Sequence, residues 1–187
     1  EHLRGFETRY MSLWQEMMAA KLGLKAFKRS DAALLETLEF VLQLTETDMT
    51  LFFRNLAELD PTMLQRPAEL MDPLLPAYYL PDQLSDEVRS EIHAWLAAYL
   101  QRVGDDRQAP ELRRARMNGA NPRYVLRNYL AQLAIDKAES GDYSMVHELL
   151  QVLRQPYADQ PGKEAFAEKR PDWARTRVGC SQLSCSS

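Results

Sequence analysis

Apolar residues recur at three- and four-residue spacing through most of the chain, which is the pattern of amphipathic helices. Glycine is scarce, with seven in 187 residues, and helix-favouring residues are plentiful. The first such segment ends at Gly23 and carries the apolar residues Tyr10, Leu13, Trp14, Met17 and Met18. We expect this stripe of aromatic residues and methionine, like the others in the chain, to face a core.

Four further helices are predicted before residue 122, each from a capping or first-turn residue. One begins at the pair Ser30-Asp31, and a shorter one covers Asp48 to Leu56. A long helix begins at Ser85 and ends at Gly104, and another has Pro110 in its first turn. Predicted helices that are separated by short helix-ending segments indicate a compact helical region.

The segment from residue 61 to residue 81 contains five prolines, which interrupt helical hydrogen bonding. It is predicted to be a connection with at most one short helix. Because it includes Leu74, Leu75, Tyr78 and Tyr79, we expect it to pack across the helices rather than to form a solvated linker.

The last part of the pattern predicts two more helices and then a tail. Pro122 is predicted to lie in the first turn of a long helix that ends at Gly141, and Asp142 to cap the next helix. From Pro156 onward the periodicity is lost. The predicted class is all-α, with a helical region over 1–156 and an extended, partly mobile tail over 157–187.

Composition and charge exclude some partners. Apolar residues make up 45% and charged residues 27%, as in ordinary globular proteins, and the net charge of -4 is unlike that of a nucleic-acid-binding domain. The basic run Arg113-Arg114-Ala115-Arg116 lies among acidic residues and is interpreted as a solvated helix face. No apolar run approaches the ~20 residues of a membrane span, so neither nucleic acid nor membrane is an expected partner.

Candidate catalytic and metal-binding residues are not found. None of the three histidines, His2, His93 and His147, is spaced from another histidine or from a cysteine as zinc ligands are. The sequence also contains no glycine-rich phosphate-binding loop. We therefore predict no catalytic residue and no metal ligand in this chain.

Two groups of residues leave alternatives open. Cys180 and Cys185 are either free thiols of no consequence or a redox pair, and a bond between them would close only a small loop. Asn121, Arg127 and Asn128 are predicted to lie in and just before the helix that follows Pro122. A polar role in helix packing is predicted for them, with contact to a substrate or partner domain as the alternative.

The same region resembles one family. The run Asn121-Pro122-x-x-Val125-Leu126-Arg127-Asn128-Tyr129-Leu130-Ala131-Gln132 is similar to a helix motif of the selenoprotein O-like proteins. Further similar elements follow in the family's order, namely Gly141-Asp142-Tyr143, Leu153-Arg154-x-Pro156-Tyr157, Pro171-Asp172-Trp173-Ala174 and the terminal Cys185-Ser186-Ser187. Upstream, Lys21-Leu22-Gly23-Leu24 and Asp48-x-Thr50-x-Phe52-Phe53-Arg54 also match. The resemblance covers the whole chain as a C-terminal portion of the family.

The resemblance implies a function for a larger protein. Family members have a protein-kinase-like fold and transfer AMP from ATP to Ser, Thr or Tyr of target proteins, using Mg²⁺ or Mn²⁺. Their nucleotide-binding and catalytic residues lie before the region represented here. The resemblance therefore implies that this chain alone binds no cofactor and is inactive. It also implies that the chain's partners are the missing N-terminal catalytic region and protein substrates.

Cys185 stands third from the C-terminus, where eukaryotic members of the family carry selenocysteine. The resemblance implies a redox role for it, with Cys180, a cysteine of the missing region or a client protein as its partner. It also implies a bacterial cytoplasmic protein with mitochondrial eukaryotic relatives. The alternative to this interpretation is a free-standing helical interaction module with a reactive thiol and no catalysis. A part of a larger fold should expose an apolar face, and a self-sufficient module should not.

Overall fold

The computed structural model describes residues 2–180, with side chains from residue 5 onward, and its regular structure is helical. The α-helices in that range are α1 His2–Lys21, α2 Asp31–Gln43, α3 Met49–Asn55, α4 Asp86–Asp105, α5 Pro110–Ala120, α6 Asn128–Glu139 and α7 Ser144–Arg154. Extended pairing among the described residues is limited to one isolated bridge between Thr47 and Tyr78. The predicted all-α class is confirmed.

The described residues form two compact units, which meet in the sequence between residues 121 and 122. Helices α1 to α5 belong to the first unit and helices α6 and α7 to the second. The division into 1–156 and 157–187 that composition suggested stays a prediction.

The core of the first unit is built around aromatic side chains of α3 and α4. The rings of Trp95 and Tyr99 stack with their centroids 5.2 Å apart, and Phe52 lies 6.0 Å from Trp95. The indole of Trp95 donates a hydrogen bond to the carbonyl of Leu34 in α2, at 3.0 Å. This bond satisfies the one polar atom of a fully buried tryptophan and links α4 to α2.

The proline-rich connection between α3 and α4 folds into short 3₁₀ turns, which span Pro61–Gln65, Pro67–Glu69, Asp72–Ala77 and Pro81–Gln83. Each turn is short because proline lacks the backbone donor that a longer helix requires. Leu74, Ala77 and Tyr78 are fully buried in the core of the first unit. The prediction that this segment packs across the helices is confirmed, whereas the expectation of at most one short helix was wrong, because four short 3₁₀ turns form between its prolines.

In the second unit, the first helix begins later than predicted. Residues 122–127 are irregular and α6 begins at Asn128, so the placement of Pro122 in its first turn was wrong. The reason is tertiary. The N–H groups of Arg123 and Tyr124 both donate to the carbonyl of Pro156, at 2.8 and 3.1 Å, and the ring of Tyr124 is buried. These contacts hold the segment away from helical geometry.

The described part of the predicted tail contacts α6 and α7. It contains two 3₁₀ turns, Glu164–Ala167 and Asp172–Arg175. Ala174 and Cys180 share a buried cluster with Tyr129, Leu130 and residues of α7. Packing thus continues along the tail as far as residue 180.

Candidate functional site

Helix α1 has two apolar faces, and one of them does not reach the core. Trp14 and Met18 pack against the core of the first unit, as predicted. Tyr10, Leu13 and Met17 are instead exposed, at 55%, 55% and 48% of their maximal surface. The prediction that the complete stripe faces the core was therefore wrong for these three residues, because the apolar arc of the helix is wider than the surface that the core offers.

The exposed residues continue toward the start of the helix. Phe6 is 69% exposed, and its ring stacks on that of Tyr10 with centroids 6.3 Å apart. Phe6, Tyr10, Leu13 and Met17 are separated by four, three and four residues, so they lie on one side of α1. We call these four residues the α1 stripe.

A cavity of about 440 Å³ lies beside another side of α1. Its lining includes Ser12, Gln15, Glu16, Lys25, Phe27 and Arg116. The Nε and Nη2 atoms of Arg116 are shielded from solvent, and they have no hydrogen-bond partner among the residues that the structure describes. A guanidinium in this state loses hydration without a compensating bond.

A second polar cluster fixes the loop between α1 and α2. Arg102 of α4 donates two hydrogen bonds to the carboxylate of Asp31, at 2.6 and 3.2 Å, and one to Asp106 at 2.7 Å. The backbone N–H groups of Lys28 and Lys25 donate to Asp31 and Asp106, at 2.8 and 2.7 Å. One guanidinium therefore joins two carboxylates that both hold loop backbone.

The environment of Asp106 changes its acidity. Burial raises the pKa of its carboxyl. The hydrogen bond from the Lys25 N–H, together with the hydrogen bond and charge of Arg102, lowers that pKa by more than burial raises it. The net result is a pKa below the ordinary value of an aspartate. The carboxylate is thus held in its charged form as a structural group.

A third cluster surrounds Tyr99. Its hydroxyl donates to the carbonyl of Leu22 at 2.9 Å and accepts from Arg113 Nη1 at 3.3 Å, and Arg113 Nη2 donates to the carbonyl of Leu59. Burial raises the pKa of the Tyr99 hydroxyl to about 12, although Arg113 lowers it. Arg113 is 3% exposed, so the interpretation of its run as a solvated helix face was wrong at this position.

The predicted residue Asn121 lies in a fourth cluster. Its side chain accepts a hydrogen bond from Lys21 Nζ and donates one to the carbonyl of Lys21, both at 2.9 Å. Lys21 Nζ lies 4.3 Å from the centre of the Phe53 ring, and burial lowers its pKa. Asn121 thus anchors the end of α5 to the end of α1.

The structure separates Asn121 from the other two residues of the motif. Asn121 follows α5, whereas Arg127 and Asn128 form the start of α6, so the three do not share one helix. Cys180 is a buried free thiol, 3% exposed. Cys185 lies outside the described residues.

The chemistry of these clusters is that of structural linkage. Within residues 2–180 no group of three or more His, Cys, Asp and Glu side chains could hold a metal ion. No helix in the described range is both long and apolar enough to cross a membrane. The charged groups of the first unit instead bond to loop carbonyls, loop N–H groups and each other.

Several of these features were missed in the sequence. The spacing of four between Arg102 and Asp106 was the available signal for their pair. The contacts of Arg102 to Asp31 and of Arg113 to Leu59 join residues more than fifty positions apart, so no local pattern indicates them.

Comparison with known proteins gives consistent matches. The family model described as "Protein adenylyltransferase SelO" matches residues 1–154. The chain is 54% identical over 173 residues to a protein nucleotidyltransferase YdiU of Aromatoleum aromaticum, covering 92% of this chain and 32% of that protein. It is 49% identical over 187 residues to the protein of the same name of Rhodopirellula baltica, covering 95% and 35%. For that of Xanthomonas euvesicatoria, the identity is 50% over 182 residues, covering 97% and 34%. The chain thus spans about a third of the length of these relatives.

Proposed function

This chain belongs to the SelO family, and from that membership we propose that it is the C-terminal part of a protein adenylyltransferase. The complete enzyme would transfer AMP from ATP to Ser, Thr or Tyr hydroxyls of target proteins. One observation carries the proposal: about half of the positions are identical, along nearly the whole chain, to nucleotidyltransferases that are roughly three times as long.

The proposed reaction forms one bond at the α-phosphorus of ATP and breaks another. The hydroxyl oxygen of the target protein attacks this phosphorus, pyrophosphate leaves with the electrons of the broken P–O bond, and the hydroxyl proton passes to a base. Mg²⁺ or Mn²⁺ would supply charge neutralisation on the phosphates. From the family resemblance, we assign ATP and metal binding to the part of the enzyme outside this chain.

For this chain we propose a supporting role. The clusters around Arg102, Tyr99 and Asn121 tie α1, α4, α5 and the intervening loops together. A scaffold built in this way holds a surface in a fixed shape, which a catalytic region could use as a brace. The chain alone would be inactive.

Labelled ATP tests the catalytic proposal. The full-length protein that contains this chain is incubated with Mg²⁺ or Mn²⁺ and with ATP carrying the label on either the α- or the γ-phosphate. Transfer of AMP leaves label on protein from the α-labelled ATP only. Label from the γ-phosphate would indicate phosphoryl transfer instead, and no incorporation from either ATP would remove the enzyme assignment. The 187-residue chain by itself is the matched control and should incorporate no label.

We also propose that Cys185 is a redox handle of the complete protein. Oxidation by a small disulfide such as oxidised glutathione would pair its sulfur with a second thiol, with two electrons and two protons passing to the oxidant. Cys180 is a poor partner in the described conformation because its thiol is buried among α6, α7 and tail residues. Under oxidised glutathione, Cys185→Ser should abolish the change in mobility on a non-reducing gel, and Cys180→Ser should preserve it. An unchanged response in Cys185→Ser would exclude this residue.

A further inference from the structure

The α1 stripe requires an explanation that the core of the first unit does not give. Single exposed apolar side chains are ordinary on protein surfaces, but contiguous groups mark contact sites. Phe6, Tyr10, Leu13 and Met17 form such a group, about 16 Å long at 1.5 Å of rise per residue. Aromatic residues and methionine are also the types enriched in the centres of protein interfaces.

We propose that the α1 stripe is the docking surface for the part of the same polypeptide that precedes this chain. The inference rests on the proposed function, because it requires that part to exist. The supporting observation is length: the chain covers only 32% to 35% of its relatives. A region about twice as large as this chain is thereby available to cover the stripe.

The stripe is large enough for a contact within one polypeptide. A large side chain buries roughly 200 Å² when fully enclosed, so four half-exposed ones present about 400 Å² of apolar surface. That area is close to the apolar share of the about 800 Å² that each partner contributes to a stable interface between separate proteins. Contact within one polypeptide needs no more than this, since the loss of translational freedom on association is then largely avoided, and a second copy is the alternative that the experiment distinguishes.

Photo-cross-linking in the full-length protein identifies the occupant. Tyr10→p-benzoylphenylalanine and, separately, Leu13→p-benzoylphenylalanine are irradiated, and the cross-linked peptides are identified by mass spectrometry. The expected products join α1 to peptides from the region before residue 1, within a monomer. Cross-links to a second copy, cross-links confined to this chain, or none at either position would overturn the inference.

A matched pair of substitutions gives a second readout. Leu13→Asp in the full-length protein should lower the melting temperature and increase protease cleavage, because an aspartate cannot be buried in an apolar contact. Leu112→Asp changes a leucine of α5 that is 72% exposed and outside the stripe, and it should have little effect. An equal effect of the two variants would contradict the inference. Transfer of AMP is measured separately, so a failed activity assay with an intact cross-link would reject the catalytic proposal alone.

Discussion

Replacing Gly23 with alanine is expected to destabilise the first unit strongly. Gly23 has φ of 69°, a conformation that costs an L-residue with a side chain about 1–2 kcal/mol. An added Cβ would lie 2.6 Å from Met117 Sδ and 2.8 Å from Arg113 Cγ, closer than such atoms approach in folded proteins. Overpacking of this kind costs about 1–3 kcal/mol. The two contributions predict that Gly23→Ala lowers the free energy of unfolding by about 2–5 kcal/mol.

The neighbours of Gly23 have little freedom to move aside. Met117 is fully buried, and Arg113 is held by its hydrogen bonds to the carbonyl of Leu59 and the hydroxyl of Tyr99. The carbonyl of Gly23 itself accepts a hydrogen bond from Gln108 at 2.8 Å. A shift of Arg113 to relieve the clash would weaken bonds that are shielded from water, so the upper half of the range is expected.

Urea unfolding followed by circular dichroism measures the change, with Gly141→Ala as the control. Gly141 has φ of 86° but nothing within 4 Å of its added Cβ, so that variant should lose only the backbone contribution of about 1–2 kcal/mol. A loss in Gly23→Ala no larger than that in Gly141→Ala would show that the close packing of Gly23 on α5 is not significant for stability.

Three further predictions concern the polar clusters of the first unit. Asn121→Ala removes both hydrogen bonds to Lys21 and should cost about 1–3 kcal/mol, whereas Asn118→Ala should cost little, because Asn118 Oδ1 has no partner among the described residues. Thermal unfolding of the two variants compares them, and equal losses would contradict the assignment. The lowered pKa of Asp106 means that its contribution to stability is complete above about pH 4, the pKa of an unfolded aspartate, and is lost as pH falls through the lower folded value. Urea unfolding between pH 7 and pH 2 should therefore show a shallower loss on acidification in Asp106→Asn than in the unsubstituted protein; parallel curves would refute the assignment. Arg116→Met should leave the urea midpoint unchanged or raise it, because no hydrogen bond to a described residue is lost, and a lowered midpoint would reveal an undetected partner.

Helices α3 and α4 were predictable because local signals and packing agree there, whereas Ser30, predicted to cap α2, makes no capping hydrogen bond. The carboxylate of Asp48 accepts the N–H of Leu51 at 3.0 Å, and the hydroxyl of Ser85 accepts that of Val88 at 3.3 Å. The sequence alone predicts both residues at the starts of these helices. Where the side chain of a cap and the start of an apolar stripe coincide, the sequence contains sufficient information to place a helix.

The start of α6 was not predictable because a distant contact decides it. Proline after asparagine is compatible with the first turn of a helix, and nothing near Pro122 in the sequence opposes that interpretation. The carbonyl of Pro156, more than thirty residues away, accepts the N–H groups of Arg123 and Tyr124 and delays the helix to Asn128. Local propensity is a weak preference, and a buried aromatic side chain with two backbone hydrogen bonds outweighs it.

The α1 stripe shows what a periodic pattern establishes and what it leaves open. The spacing of Tyr10, Leu13 and Met17 predicted the helix correctly, because that spacing depends only on helix geometry. It did not predict that these side chains would remain exposed, because the pattern is the same whether an apolar face meets its own core or another part of the protein. Trp14 and Met18, one position further along the chain from Leu13 and Met17, are rotated by about 100° toward the core and pack there. A single helix with apolar residues over so wide an arc has more contact surface than one side of a unit uses. An excess of this kind is expected where another part of a protein packs on the helix, and the cross-linking experiment identifies that part.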